Sequence, residues 1–549
     1  MDTQRLILFL VFSLSIFMLW EAWQRDQNPA PQITQTTQVP ASSGVPTPTM
    51  AASTSAASSA TSVATTSAQL VNGERIKVKT DLIDAEIDTN GGDLRRMSLI
   101  MHGSNENKQT PFVLFSDVAP HFYVAQTGLI GDSLPTHRAL FSASAKEYTL
   151  SPNAQTLDVR LTWHSANGIQ VDKTYTFHRG SYLVDIGYEI KNGSGAPIKP
   201  DAYFQLLRDE TAPEGETKFL PTYTGPATYT EKNKFQKHDF SKIGKDKEKD
   251  SILSKDGWIA MLQHYFIAAY LPQGASQREF YLKKISDNLF AAGVIMPIAE
   301  IAPNASARIS MPLYAGPLEQ ETLKKLAPGL DLSVDYGWLT VIAVPIFWLL
   351  SFLHKWLGNW GWAIILLTVL IKLAFYPLSA ASYRSMAKMK ALAPRLQRLK
   401  EQFGDDRQKL HQAMMEIYKT EKINPLGGCL PVLIQIPVFI SLYWVLLYSV
   451  EMRHAPFALW IHDLTAQDPY YILPVLMGIS MVVQTRLNPT PPDPIQAKVM
   501  MIMPIAFSVM FLWFPSGLVL YWVVNNTLSI AQQWRINQVM KHAPKQAKR

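Results

Sequence analysis

Between Trp360 and Tyr376 the chain reads WGWAIILLTVLIKLAFY, apolar throughout except for Lys372. A lysine near the centre of a spanning helix costs roughly 2.5 to 3.5 kcal/mol, so it ordinarily faces a protein interior or a wet cavity. There its chemistry is electrostatic: an ammonium that attracts an anionic group. A second reading stands beside this one, because Pro377 closes the stretch about a turn later and the side chain has the length to snorkel to the headgroups. Other chemistries find little footing. The single cysteine, Cys429, excludes an intramolecular disulfide framework and a Cys-rich metal site, and it sits where a small buried hydrophobe is expected.

The elements that must position Lys372 are mostly apolar. Hydrophobic residues make up 47% of 549 positions and charged residues 17%, too apolar for an ordinary soluble domain and too charged for a chain that is all membrane. The net charge of +7 clusters at the ends of apolar segments, the pattern that orients membrane proteins, and on no recognisable nucleic-acid module. Four further apolar stretches follow Tyr376: Leu426 to Val450, Tyr470 to Gln484, Val499 to Phe514 and Gly517 to Trp534. Each is near the length a bilayer requires. The last two are joined by Pro515-Ser516 alone, which predicts a tight hairpin of neighbours. The run Leu6 to Trp20 ends in bulky and charged residues rather than a cleavage site, so 1-25 is expected to be a retained anchor and the sixth span.

Residues 26-72, rich in Pro, Ser, Thr and Ala, predict a flexible linker. Period-two alternation then takes over, as in Leu157, Val159, Leu161, Trp163 and in Val184, Ile186, Tyr188, Ile190, with turn signals at Asn90-Gly91-Gly92 and Asn192-Gly193-Ser194. Residues 73-330 are therefore expected to form an antiparallel β-sandwich. It contains no HExxH, glycine-rich phosphate loop or G-x-S-x-G, which favours binding or scaffolding over catalysis. The mixed charges of 231-250 read as a solvated loop. In 331-356, Pro345 interrupts the apolar run and leaves too short a remainder to span, so an interfacial helix anchored by Trp348 and Trp356 is expected.

The core, 357-536, thus has five spans with a loop at 378-424 carrying ten Lys or Arg against five acids. That loop and the basic tail, 537-549, are expected in the cytoplasm, which places both termini inside and the β domain in the periplasm. Met389, Leu392, Leu396, Leu399 and Phe403 are spaced as a coiled-coil seam and Leu410, Met414 and Ile417 repeat it, so the loop is a helical hairpin kinked at Pro394, with an aspartate of Gly404-Asp405-Asp406 placed to cap the second helix. Met386, Met389, Met414 and Met415 are either a soft client-binding surface or seam filler.

MAKMKALAPRLQRLKEQFGDD (Met386 to Asp406), NPLGGCLPVLIQIPVF (Asn424 to Phe439), APFALWIHDLTAQDPYYILPVLMG (Ala455 to Gly478) and FLWFPSGLVLYW (Phe511 to Trp522) together resemble the YidC family of membrane insertases, in its long Gram-negative form. The resemblance implies a non-enzymatic insertase and foldase without cofactor or metal, in the inner membrane. It is expected to integrate nascent membrane proteins through a hydrophilic groove, as a monomer or beside the Sec translocon, with the ribosome and membrane lipids as further partners. It implies that Lys372 stands where the family carries a groove arginine, keeping the charge without the planar fork. Thr368, Gln435, Asn525 and Gln532 would line the groove, with ordinary interhelical hydrogen bonding as the alternative for the last three. Phe439, Tyr521 and Trp522 would contact the client. The basic tail meets ribosomal RNA or anionic lipid, and the sequence separates neither. An ion-coupled transporter is the main rival; it predicts intramembrane carboxylates, and the five core stretches hold no Asp or Glu. A membrane-anchored carbohydrate-binding protein is the other.

Overall fold

A computed structural model describes residues 70–104, 108–213, 222–243, 251–403, 406–420, 430–488 and 494–542. The expected anchor, nearly all of the linker, Cys429 and the last residues of the tail lie outside these. Two compact units are present, one dominated by β-structure and one helical.

The β unit holds a ten-stranded and a nine-stranded sheet. Alternation builds it: in strand Leu183–Asn192 the side chains of Val184, Ile186, Tyr188 and Ile190 are all buried, and the strand pairs antiparallel with Ile169–His178 on one side and Ser306–Pro317 on the other. Among the described residues every ladder is antiparallel except Lys77–Lys79 with Glu147–Thr149, which run parallel. Gly91 and Gly92 both take positive φ at the predicted turn, and a Cβ on Gly91 would collide with the His137 carbonyl.

Polar stitches join the sheets. The Thr127 hydroxyl of one lies 2.7 Å from that of Tyr188 on the other. Lys173 Nζ donates to the carbonyls of Gly91 at 3.0 Å and Thr127 at 3.4 Å, among the rings of Phe141, Tyr175 and Tyr188. Burial pushes the Lys173 ammonium down and the Asp93 carboxyl up, while their mutual attraction opposes both shifts. The 231-250 segment is partly structured rather than an open loop: Lys234–Lys237 is an edge strand and Phe240–Ile243 a helical turn, with 244–250 outside the described residues.

Helix α1, Thr340–Leu357, also belongs to this unit. It runs unbroken through Pro345, contrary to the expectation that the proline interrupts it. The lost hydrogen bond falls in the second turn, and burial of Ala343, Ile346, Phe347, Leu350 and Leu353 offsets it. With the preceding 3-10 turn the element spans 21 residues and is long and apolar enough to cross a membrane, so shortness gives no reason to lay it flat. Its other face exposes Val341, Trp348, Phe352 and Trp356. Gly358 ends it in the left-handed region, its N–H bonded to the His354 carbonyl at 2.8 Å.

The segment Val438–Ala466 packs with the β unit. His264 Nε2 donates to the Leu447 carbonyl at 2.8 Å, Lys108 pairs with Asp463 at 3.1 Å, and the Arg453 guanidinium lies among Phe112, Tyr265 and Phe266.

In the helical unit, α2 (Trp360–Ala374) and α3 (Tyr376–Phe403) meet at a 67° bend at Phe375. The predicted break at Pro377 is therefore displaced: the proline sits in the first turn of α3, where its missing N–H costs nothing. Helix α3 continues through Pro394, and α4 (Arg407–Thr420) completes the hairpin; Asp406 is the aspartate that caps it, its Oδ1 accepting from the Lys409 N–H at 3.1 Å. Then come α5 (Leu430–Tyr448), which from Val438 onward belongs to the β unit, and α6 (Ile472–Leu487), α7 (Pro494–Met510) and α8 (Ser516–His542). The predicted pairing of the last two is corrected. The turn is tight, and Phe511 packs on Phe514 and Trp522 there, but along their lengths α7 and α8 both pack against α6.

Candidate functional site

Helix α8 organises the polar groups of the helical unit. Tyr521, Asn525, Ser529 and Gln532 are spaced four, four and three apart, so they form one stripe down the helix. Lys372 of α2 reaches this stripe, its Nζ donating to Ser529 Oγ at 2.7 Å. Ser529 in turn donates to the carbonyl of Asn525, one turn back, at 2.7 Å. Lys372 is thus half-buried and hydrogen-bonded across a helix pair.

The other predicted lining residues divide. Gln435 of α5 donates to the Tyr521 hydroxyl, and Gln532 Nε2 donates to the Tyr376 carbonyl at 3.3 Å, so both make interhelical bonds. Asn525 is buried, with a side-chain oxygen that has no partner. Thr368 stands one turn before Lys372, but its hydroxyl donates to the Ile364 carbonyl of its own helix at 2.7 Å. Phe439 is half-buried on α5, Tyr521 is 1% exposed and Trp522 is half-buried.

Of the hairpin methionines, Met386 packs with Met540 against Ala380, Tyr383 and Ile536, the filler role. Met389 and Met414 are half-buried, and Met415 is exposed.

Sequence reasoning missed Ser529. It also missed a second stripe on α8, where Asn526 donates to Ser480 Oγ at 3.1 Å and Gln533 to Asn488 Oδ1 at 3.0 Å, both on or beside α6. The four-residue spacing of polar side chains in an apolar helix was the available signal. Among the described residues no group of three His, Cys, Asp or Glu has an arrangement that would hold a metal ion.

A two-sheet β domain followed by apolar helices, one of which carries a polar stripe reached by Lys372, is the architecture of a two-part membrane protein. Residues 75–349 match the YidC periplasmic domain, and residues 352–544 match the 60Kd inner membrane protein model. The chain is 58% identical over 545 residues to a membrane protein insertase YidC of Methylobacillus flagellatus, covering 99% of this chain and 98% of that one. It is 56% identical over 552 residues to that of Aromatoleum aromaticum, covering 100% of each. A crystal structure of an active YidC insertase covers 84% of this chain and 92% of its own, with a TM-score of 0.40 and 19% identity. The chain belongs to the YidC family of membrane protein insertases: it is an inner-membrane insertase with a periplasmic domain, and not an enzyme. The transporter and carbohydrate-binding readings have no support beside this assignment.

Proposed function

We propose that insertion proceeds along the stripe of α8, with Lys372 as the charge that draws in the client. A nascent helix with a short acidic extracytoplasmic tail approaches from the cytoplasm, and the ammonium attracts the tail. Thr368, Gln435, Asn525 and Gln532 lower the cost of bringing its polar groups part-way across. The helix then leaves into lipid over Phe439, Tyr521 and Trp522, driven by burial of its own apolar surface at roughly 25 cal/mol per Å².

In this reading the chain has six spans with both termini cytoplasmic. The hairpin, with Met389, Met414 and Met415, receives clients, and the basic tail holds the ribosome or anionic lipid. The protein acts as a monomer on small clients and beside the Sec translocon on larger ones. Helix α1 lies along the membrane surface, its exposed Val341, Trp348, Phe352 and Trp356 turned to lipid.

The observation that carries the proposal is the bond from Lys372 Nζ to Ser529 Oγ, which holds the cation on the polar stripe. Reconstitution in liposomes with a single-span, acidic-tailed client tests it. Wild type is expected to insert the client above empty liposomes and Lys372→Glu to fail; equal activity of the two proteins would demote Lys372 to a membrane anchor.

A further inference from the structure

A lysine ammonium is a point charge on a flexible four-carbon stem, with three donors that rotate freely. Left alone beside lipid, it would sample many rotamers and drift toward the headgroups. Lys372 does neither, since its Nζ sits 2.7 Å from Ser529 Oγ.

Ser529 is itself fixed. It is 2% exposed, which shields it from competing water, and its own proton is committed to the Asn525 carbonyl at 2.7 Å. That commitment leaves the oxygen lone pairs directed outward, as acceptors. The serine therefore acts as a socket on α8 with one polarity: it accepts, and the ammonium donates. One N–H of Lys372 is used in this way and two remain for an incoming carboxylate.

We propose that Ser529 is a positioning residue for the insertase, holding the Lys372 ammonium on the polar face of α8 so that it discriminates in favour of clients with acidic tails. This rests on the reading of Lys372 as the groove charge. An arginine would hold its own geometry through the planar fork; a lysine needs a fixed acceptor to gain the same definition. The serine supplies it from the neighbouring helix.

The test uses the full chain in liposomes and two single-span clients that differ only in having an acidic or a neutral tail. The readout is the ratio of their insertion yields. Wild type is expected to favour the acidic tail, Ser529→Ala to lower the ratio several-fold toward that of Lys372→Met, and Ser529→Thr, which keeps the hydroxyl, to recover it. A Ser529→Ala protein with the wild-type ratio overturns the proposal, and so does a uniform loss for both clients, which would mark the serine as packing alone. If wild type and Lys372→Met insert both clients equally, the groove-charge reading itself fails and the proposal falls with it.

Discussion

Lys108 Nζ lies 3.1 Å from Asp463 Oδ2, joining the first β-sheet to the loop after α5 across more than 350 residues of sequence. The same carboxylate is 2.7 Å from His454 Nδ1 and accepts from the Thr465 hydroxyl at 2.7 Å. Burial alone would raise the Asp463 carboxyl, but these hydrogen bonds and the Lys108 charge hold it well below the usual carboxylate range. Beside it Arg453, 9% exposed, lies 5.4 to 5.7 Å from the ring centroids of Phe112, Tyr265 and Phe266. The β unit therefore includes this loop, which it grips through charge and aromatic surface.

Replacing Arg453 with methionine keeps much of the stem and removes the charge. A desolvated cation over aromatic rings contributes about 2 kcal/mol, so hydrogen exchange across residues 450–466 is expected to accelerate by more than tenfold while exchange in strand Leu183–Asn192 is unaffected. Unchanged protection of the loop would show that Arg453 does not hold it.

Glu451 gives this junction a pH dependence. Burial pushes its carboxyl up to about 7 from 4.5, with the nearby Glu319 charge adding to the rise. A raised acid means that the folded state binds the proton more tightly. Its contribution is fully present below pH 4.5 and is lost as the pH rises through 7, a total of about 3 kcal/mol. Glu451→Gln is expected to keep its stability over this window where wild type loses it, measured as denaturation midpoints from pH 4.5 to 8. Parallel curves would refute the assignment. The half-buried His264 works in the opposite sense: pushed down to about 4 by desolvation, it stabilises above pH 6.5 and loses that contribution as the pH falls through 4.

Lys173 bridges the sheets from a fully buried position. Lys173→Met would leave the Gly91 and Thr127 carbonyls without the lysine donor and the Asp93 carboxyl with Arg95 alone as its compensating charge. A loss of about 3 kcal/mol is expected in urea unfolding followed by the fluorescence of buried Trp258. A neutral outcome would mean that hydrophobic packing replaces the stitch.

The bond from Gln435 to Tyr521 ties α5 to α8. A double-mutant cycle with Gln435→Leu and Tyr521→Phe is expected to show a coupling of about 0.6 kcal/mol in detergent unfolding, the usual scale for such bonds in membrane bundles. Zero coupling would assign Gln435 to the groove rather than to the helix interface.

Much of the architecture could be read along the chain because it depends on local geometry. Alternation at Val184, Ile186, Tyr188 and Ile190 follows from the two-residue strand repeat, and the Asp406 cap from orphaned N–H groups at a helix start. The cost of burying a charge made Lys372 conspicuous before any partner was known. What tertiary structure decided was which surfaces meet. The seat of Lys372 on Ser529, the grip of Lys108 on Asp463 and the placing of α6 against both α7 and α8 join residues whose local sequences carry no mark of one another. Pro345 makes the same point in reverse: its local cost predicts a break, and burial of the Phe347 and Leu350 face overrides it. Periodicity fixes the faces that a segment presents, whereas the partner of each face is chosen by long-range burial and the pairing of polar groups that burial would otherwise strand.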